Sequence, residues 1–222
     1  NSKTLWTDVL SKQPNLALAY NNLGLYYRQA GNPDEAIKNY NLAIRHDPSK
    51  GYYYNNRGKI YFERGEFEQA LEDCNKCLEI TPDHVNALSN RGAIYGMKKN
   101  YEQALADLTR ALELDPQNTS ALSNRGVIYF ETKEYEKTIG DYLQFLQIEP
   151  GNADIINTVG LCYLKLKIYD KALEHFNRSI ELKPGEKAFF VNRSYTYYAM
   201  KDTTNALQDA LQAEKLGYPI HP

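Results

Sequence analysis

Residues 17–50 read ALAYNNLGLYYRQAGNPDEAIKNYNLAIRHDPSK, and the same 34-residue pattern returns five more times along the chain. Numbered from Ala17, the pattern carries proline at position 32 in five units. One further proline lies 34 residues before the proline of the first unit. These prolines are Pro14, Pro48, Pro82, Pro116, Pro150 and Pro184. Because proline lacks a backbone N–H and clashes with the preceding helical turn, each one is expected to end a helix. A helix end at fixed spacing predicts one structural unit copied along the chain.

Columns of small and aromatic residues follow the same register. Small side chains at position 8 allow two helix backbones to approach closely, and the tyrosine at position 11 lies on the same helical face. Position 8 is Gly24, Gly58, Gly92, Gly126, Gly160 and then Ser194. Position 11 is Tyr27, Tyr61, Tyr95, Tyr129, Tyr163 and Tyr197.

Each unit is expected to form two helices, named A and B in chain order. In the second unit, helix A is predicted over roughly 52–64, with a stop at Gly65, and helix B over Phe67–Ile80. A single continuous domain is expected to hold six full units at 17–50, 51–84, 85–118, 119–152, 153–186 and 187–220. Residues 1–16 are expected to be an N-terminal half-unit that contributes one more B helix.

The first unit resembles the tetratricopeptide repeat (TPR) pattern, and the other units resemble it in the same register. The matching residues are Tyr20, Leu23, Gly24, Tyr27, Ala36, Tyr40, Ala43 and Pro48. The resemblance implies an all-α fold, a right-handed α-solenoid superhelix of stacked helix-turn-helix units with a concave inner face. The sixth unit departs from the pattern, because Ser194 replaces glycine and Pro219 falls one place late.

The composition argues against several classes of partner. The formal net charge is −2 without a basic block, so nucleic acid is not an expected partner. No apolar run approaches the ~20 residues needed to span a membrane, and no signal peptide is recognisable, so we expect a soluble segment without membrane insertion. The chain starts in mid-repeat and lacks an initiator methionine, which predicts a fragment of a longer protein.

Motifs for catalysis, cofactors or metals are not found in the sequence. The four histidines are scattered, and none shares metal-ligand spacing with cysteine or another histidine. Cys74 and Cys77 form a C-x-x-C pair, but they occupy positions that carry packing residues in the other units, and Cys162 is interpreted in the same way. We therefore expect no enzyme activity, no metal and no cofactor.

Arginine at position 7 occurs in the same four units as aspartate at position 23. This covariation predicts ion pairs that tie helix A to helix B within a unit, rather than an anion-binding row of arginines. The predicted pairs are Arg57–Asp73, Arg91–Asp107, Arg125–Asp141 and Arg193–Asp209. The other two units carry Leu23 with Asn39, and Val159 with His175.

Asparagine at position 6 forms a second polar column. In the TPR family this position looks onto the concave face, and the column resembles the peptide-binding groove of O-linked N-acetylglucosamine transferase. An asparagine amide both donates and accepts hydrogen bonds, so it can bind the backbone of an extended peptide. The predicted peptide-binding residues are Asn22, Asn56, Asn90, Asn124 and Asn192, with Tyr52, Asn55, Lys59, Glu63 and Tyr195 beside them. The alternative is that these asparagines are solvated or bond a neighbouring helix.

The predicted function is a protein–protein interaction scaffold that binds an extended peptide or a partner helix on the concave face. Three other roles stay open. The chain is the substrate-recruiting or regulatory arm of a larger enzyme such as a membrane-bound glycosyltransferase, a self-association module that forms homo-oligomers through its end repeats, or a protein whose convex face carries the interaction. The clamp that holds chaperone tails in some TPR proteins is not expected, because no three consecutive units supply its lysines, asparagines and arginine.

Overall fold

The computed structural model describes residues 2–219, so Asn1 and residues 220–222 lie outside it. The first residue of the predicted half-unit, the last residue of the predicted sixth unit and His221 are therefore among the residues not described. Within residues 2–219 the regular structure consists of thirteen α-helices, in agreement with the predicted all-α class. They are α1 Ser2–Lys12, α2 Ala17–Gln29, α3 Pro33–His46, α4 Gly51–Glu63, α5 Phe67–Ile80, α6 Val85–Met97, α7 Tyr101–Leu114, α8 Thr119–Glu131, α9 Tyr135–Ile148, α10 Ala153–Lys165, α11 Tyr169–Leu182, α12 Lys187–Ala199 and α13 Thr203–Lys215.

The chain divides into two compact units, residues 1–121 and residues 122–222. In the first, A helices α2, α4 and α6 pack on their own B helices α3, α5 and α7, and each of α3 and α5 also packs on the next A helix. In the second, α10 packs on α11 and α12 on α13, while α9 and α11 pack on the A helices that follow them. The repeat boundaries, the single continuous domain and the right-handed superhelix stay predictions.

The prolines end the B helices as the sequence predicts. Helix α3 ends at His46, and Asp47 then has an extended backbone, with φ −148° and ψ 90°, before Pro48. Helix α5 likewise ends at Ile80, two residues ahead of Pro82. A residue that precedes proline is disfavoured in the helical region, so the last helical residue lies one place further back.

In the first, fourth and fifth units, glycine at position 8 makes room for an aromatic ring at position 24 of the same unit. A Cβ atom built on Gly126 would overlap Cε1 of Tyr142, and one built on Gly160 would lie 2.7 Å from Cε1 of Phe176. Both rings are buried, so they have little space to move aside. In these units glycine at position 8 is required by the facing ring, whereas a Cβ atom on Gly58 would lie 2.9 Å from Cβ of Asp73 and one on Gly92 would lie 2.7 Å from Cγ of Leu108.

The same contact explains why the sixth unit departs from the pattern. Its position 24 is Ala210, which leaves space for a side chain at Ser194. The Ser194 hydroxyl donates a 2.7 Å hydrogen bond to the carbonyl oxygen of Ala206 on α13. Glycine and a large ring have been replaced together by serine and alanine, so the two helices still approach closely.

The turn from helix A to helix B uses a left-handed backbone at position 15. Glycine occupies this position in the first two units, at Gly31 and Gly65, with φ of 70° and 75°. The next four units carry lysine there, with φ between 60° and 65°, at Lys99, Lys133, Lys167 and Lys201. A side chain with a Cβ atom is strained in this region, whereas glycine is not.

The helix predicted over residues 2–12 is observed as α1 and packs on α2. Trp6, Val9 and Leu10 are partly buried, whereas Leu5 is exposed. Helix α1 packs on the A helix that follows it, as α3 and α5 do, and the assignment of residues 1–16 to a half-unit stays a prediction.

Candidate functional site

One face of the A helices carries the predicted asparagine column. Positions 2, 6, 9 and 13 of an A helix recur at about one-turn spacing and share one face, which we call the ladder face. The asparagines at position 6 are all half-buried on it: Asn22, Asn56, Asn90, Asn124 and Asn192. Position 5, one residue earlier, is buried in most units.

Within residues 1–121, each ladder asparagine after the first bonds the preceding repeat. Asn56 Nδ2 donates a 2.9 Å hydrogen bond to Oδ1 of Asn21, and Asn90 Nδ2 donates a 3.1 Å bond to Oδ1 of Asn55. The two acceptors stand at position 5 and are only 3% and 6% exposed. A buried side chain of one repeat therefore holds the half-buried ladder amide of the next.

Among the described residues 122–219 the same bond is found at Asn192. Asn192 Nδ2 donates a 3.1 Å hydrogen bond to Oδ1 of Asn157, which is also buried. Thr158, which replaces asparagine in the column, turns back to its own helix and donates a 2.9 Å bond to the carbonyl oxygen of Asp154. The ladder is thus interrupted at α10.

The bonds leave part of each ladder amide available to a ligand. A primary amide has two N–H donors and a carbonyl oxygen that accepts hydrogen bonds. The contact with the preceding repeat uses one donor, so the second N–H and the oxygen of Asn56, Asn90 and Asn192 keep their bonding capacity. An extended peptide backbone offers the matching carbonyl and N–H groups.

The remaining predicted residues divide between the surface and the interior. Lys59, Glu63 and Tyr195 are exposed on the ladder face, and Tyr195 is 61% exposed. Tyr52 is partly exposed, and its ring packs edge-on against Tyr53 with centroids 4.5 Å apart. Asn55 is buried and reaches the face only through its bond to the next ladder asparagine. Their role in peptide binding stays a prediction.

Exposed apolar side chains accompany the ladder. Leu18 at position 2 and Met97 at position 13 are exposed in the first compact unit, and Val127 at position 9 in the second. Together with Tyr52 and Tyr195 they place an apolar group on the ladder face of most repeats. These side chains are available for apolar contacts with a ligand.

The four arginine–aspartate pairs form as predicted, and each is bidentate. In every pair Nε and Nη2 of the arginine donate to the two carboxylate oxygens, at distances from 2.6 to 2.9 Å. Burial raises the pKa of Asp73 even though the facing Arg57 guanidinium opposes the shift. These arginines hold helices A and B together, so they do not form a free row of anion-binding cations.

A third arginine contact was not predicted from the sequence. Nη1 of Arg57 and of Arg91 donates to Oδ1 of Asn41 and Asn75, at 2.6 and 2.8 Å, and Arg193 contacts Asn177 at 2.6 Å. These asparagines stand at position 25 of the preceding B helix, so the arginine ties two repeats together. The sequence does contain a signal for this contact. The fifth unit has Val159 in place of the arginine, and the unit before it has Leu143 in place of the asparagine at position 25.

The three cysteines are core residues, as expected. All are buried as free thiols. Burial raises the pKa of Cys74 and Cys162 to about 12 and that of Cys77 to about 11. Thiols with such values stay protonated at neutral pH, and the thiolate is the form that binds metals or attacks disulfides.

The packed helix pairs and the ladder face define a helical-repeat protein. Models of the tetratricopeptide repeat match residues 17–50, 52–117, 98–153 and 153–186, which together span most of the chain. The chain belongs to the tetratricopeptide repeat family, and its fold is an all-α solenoid of such repeats. A role in protein interaction is typical of this family.

Solved structures confirm the fold. YrrB, described as a TPR protein with an unusual peptide-binding site, is 21% identical, with a TM-score of 0.74 over 80% of this chain and 92% of that one. MamA from Desulfovibrio magneticus RS-1 is 19% identical, with a TM-score of 0.70 over 75% and 94%.

A third structure is the Cut9–Hcn1 hetero-tetramer of the APC/C, at 18% identity and a TM-score of 0.75, where the match covers 97% of this chain and 43% of that one. No curated protein sequence matches the chain significantly. Among residues 2–219, no helix is long and apolar enough to cross a membrane.

Proposed function

We propose that the ladder face binds an extended peptide, with the ladder asparagines bonding its backbone. One observation carries this proposal: Asn56, Asn90 and Asn192 each use a single N–H on a neighbouring repeat and are only half-buried. Because Asn56 and Asn90 occupy the same position in successive repeats, these two repeats bind the peptide backbone in the same way.

The side chains around the ladder indicate the chemistry of the peptide. On positions 2, 6, 9 and 13 of α2, α4 and α6, only Lys59 and Glu63 are charged, and their charges are opposite. Leu18, Tyr52 and Met97 offer exposed apolar surface beside them. We expect a peptide with little net charge that contributes apolar side chains, because a strongly acidic or basic segment finds no complementary row here.

Similar proteins support the same class of function. YrrB is a TPR protein with a peptide-binding site, and Cut9 is part of a hetero-tetramer. Protein or peptide partners are therefore the natural ligands to test, and a non-enzymatic scaffold is the role that we propose for this chain. Self-association through the end repeats, and service as the arm of a larger enzyme, stay predictions from the sequence.

The test uses a displayed library of random peptides, roughly 12 residues long, which reach about 40 Å when extended. Peptides that bind the wild-type protein are measured against the double variant Asn56→Ala/Asn90→Ala. We expect affinity to fall at least about 10-fold, since each repeat loses hydrogen bonds worth ~1 kcal/mol.

The matched control is Asn41→Ala/Asn75→Ala. These two substitutions also remove two hydrogen bonds between repeats, those that Arg57 and Arg91 donate, but they lie on the B helices. Peptide affinity should be unchanged in the control. Equal loss in both double variants, or no loss in the ladder variant, would refute the proposed site.

A further inference from the structure

We propose that the buried asparagines at position 5, Asn21, Asn55 and Asn157, are positioning residues of the peptide site. Each accepts a hydrogen bond from the ladder asparagine of the following repeat, at 2.9 to 3.1 Å. The proposal rests on the proposed peptide-binding function and adds residues that no ligand would touch directly.

The buried acceptor restricts the ladder amide before any peptide arrives. An exposed asparagine samples many orientations of its amide, and a ligand that requires one of them must stop this motion. Here the acceptor belongs to a side chain that is itself enclosed by packed helices, so its oxygen has a fixed position. The bond selects the orientation in which one N–H faces the preceding repeat and the amide oxygen faces elsewhere.

The same orientation recurs along the ladder. In each bond the donor is Nδ2 of the later repeat and the acceptor is Oδ1 of the earlier one, 35 residues before it. Within residues 1–121 the amides of Asn56 and Asn90 are therefore aligned, and these two successive repeats present the second N–H and the oxygen in the same sense. The backbone of an extended peptide is itself regular, so a surface that binds it at successive repeats must present its hydrogen-bonding groups in the same orientation.

The sequence at positions 5 and 6 accords with a role beyond packing. Asparagine at position 5 is always followed, one repeat later, by asparagine at position 6. Ser123 is followed by Thr158, and Val191 at position 5 of the last full unit shows that an apolar residue also suits this position. Ser89, which is followed by Asn124, is the exception. Because valine also occupies position 5, packing alone does not explain the asparagines found there in the other units.

The first experiment needs no ligand. The side-chain amide signals of Asn90 are recorded by two-dimensional ¹⁵N–¹H NMR in the wild-type protein, in Asn55→Ala and in the control Asn75→Ala. We expect the hydrogen-bonded Nδ2 proton to move upfield and to exchange faster in Asn55→Ala, with no change in the control. Unchanged Asn90 signals in Asn55→Ala would overturn the proposal.

The second experiment measures the peptides selected from the random library against three single variants. Asn55→Ala should weaken binding about 3- to 10-fold, because the freed amide must be ordered again when the peptide binds. Asn55→Asp keeps an acceptor oxygen at the same reach and should bind within about 2-fold of the wild type. Asn90→Ala tests the ladder itself. If Asn55→Asp does not fold, Asn21→Asp and Asn21→Ala provide the same comparison for Asn56.

The outcomes separate the two proposals. Weaker binding by Asn90→Ala together with unchanged binding by Asn55→Ala overturns the positioning role and leaves the peptide site standing. Unchanged binding by Asn90→Ala, or a library that yields no binding peptide, overturns the peptide site and the positioning role with it. A loss in Asn55→Ala that Asn55→Asp does not restore also overturns the positioning role, since it shows a purely structural effect.

Discussion

Replacing Arg57 with alanine tests the arginine network that joins the repeats. Arg57 lies on α4 and donates two hydrogen bonds to Asp73 on α5, at 2.9 and 2.6 Å. A third bond, of 2.6 Å, reaches Asn41 on α3. The substitution therefore disconnects three helices at once, and it leaves Asp73 as an unpaired carboxylate whose side chain is 4% exposed.

The expected loss follows from burial. Removing one partner of a buried ion pair costs ~3–5 kcal/mol, and the lower end applies because the Arg57 side chain is 21% exposed. The lost bond to Asn41 is exposed and adds about 0.5 kcal/mol or less. We therefore expect Arg57→Ala to lower the free energy of unfolding by about 3 kcal/mol.

Equilibrium unfolding in urea, followed by circular dichroism at pH 7, measures this loss. The control is Arg57→Leu/Asp73→Asn, which introduces the residues found in the first unit, Leu23 and Asn39. In the first unit Asn39 Nδ2 donates a 2.8 Å hydrogen bond to the carbonyl oxygen of Glu35, so an asparagine at this position keeps a partner without the arginine. The double variant should recover at least half of the loss. An unchanged midpoint in Arg57→Ala, or a double variant as unstable as the single one, would refute the reasoning.

The dependence on pH provides a second check on the same variant. Burial already raises the pKa of Asp73, and loss of the opposing guanidinium raises it further. At pH values between the pKa of the unfolded aspartate, ~3.9, and the higher pKa of Asp73 in the folded protein, the native state binds more protons than the unfolded state. The free energy of unfolding therefore falls as pH rises through this range. The deficit of Arg57→Ala relative to the wild type should therefore be larger at pH 7 than at pH 4.

Three further predictions concern the repeat framework. Gly126→Ala places a Cβ atom that overlaps the buried ring of Tyr142, so it should lower the free energy of unfolding by ~1–3 kcal/mol in urea unfolding. Lys167→Gly removes a side chain from a backbone with φ of 61° and should raise the melting temperature, with a gain of about 1 kcal/mol. His84 caps α6, because its Nδ1 accepts a 3.2 Å bond from the N–H of Ala87, and burial lowers its pKa. Only the neutral ring can accept this bond, so the free energy of unfolding should fall as pH drops below the pKa of an unfolded histidine, ~6.5. Urea unfolding at several pH values should show a smaller fall in His84→Asn.

The coupled columns were the most informative part of the sequence. Arg57 and Asp73 change together with their equivalents in other units, and this is sufficient to pair them without coordinates. The sixth unit combines Ser194 with the small Ala210, whereas the first, fourth and fifth units combine glycine with a ring, and this difference is visible in the sequence once the contact is known. A fixed 34-residue register supplies these comparisons within one chain, because each unit serves as a reference for the others.

Single residues without such partners were harder to interpret. Asn55 is one of the predicted peptide-binding residues, and its side chain is buried and accepts a hydrogen bond from Asn90, which the sequence does not indicate. Positions 5 and 6 are neighbours on a helix about 100° apart, so the rotation of the helix against its neighbours decides which one is enclosed. Sequence spacing gives the relative angle between the two residues, and it does not give that rotation.

The amino-acid sequence by itself determined the class of fold, the length of the unit, the helix ends at the prolines and the four ion pairs. All of these depend on local sterics or on residues that vary together at fixed spacing. Only the tertiary structure decided that the ladder amides are held by buried asparagines of the preceding repeat, and that Arg57 reaches back to Asn41. Both contacts join side chains of successive repeats, and their distances depend on how helices pack, which no spacing along one chain specifies.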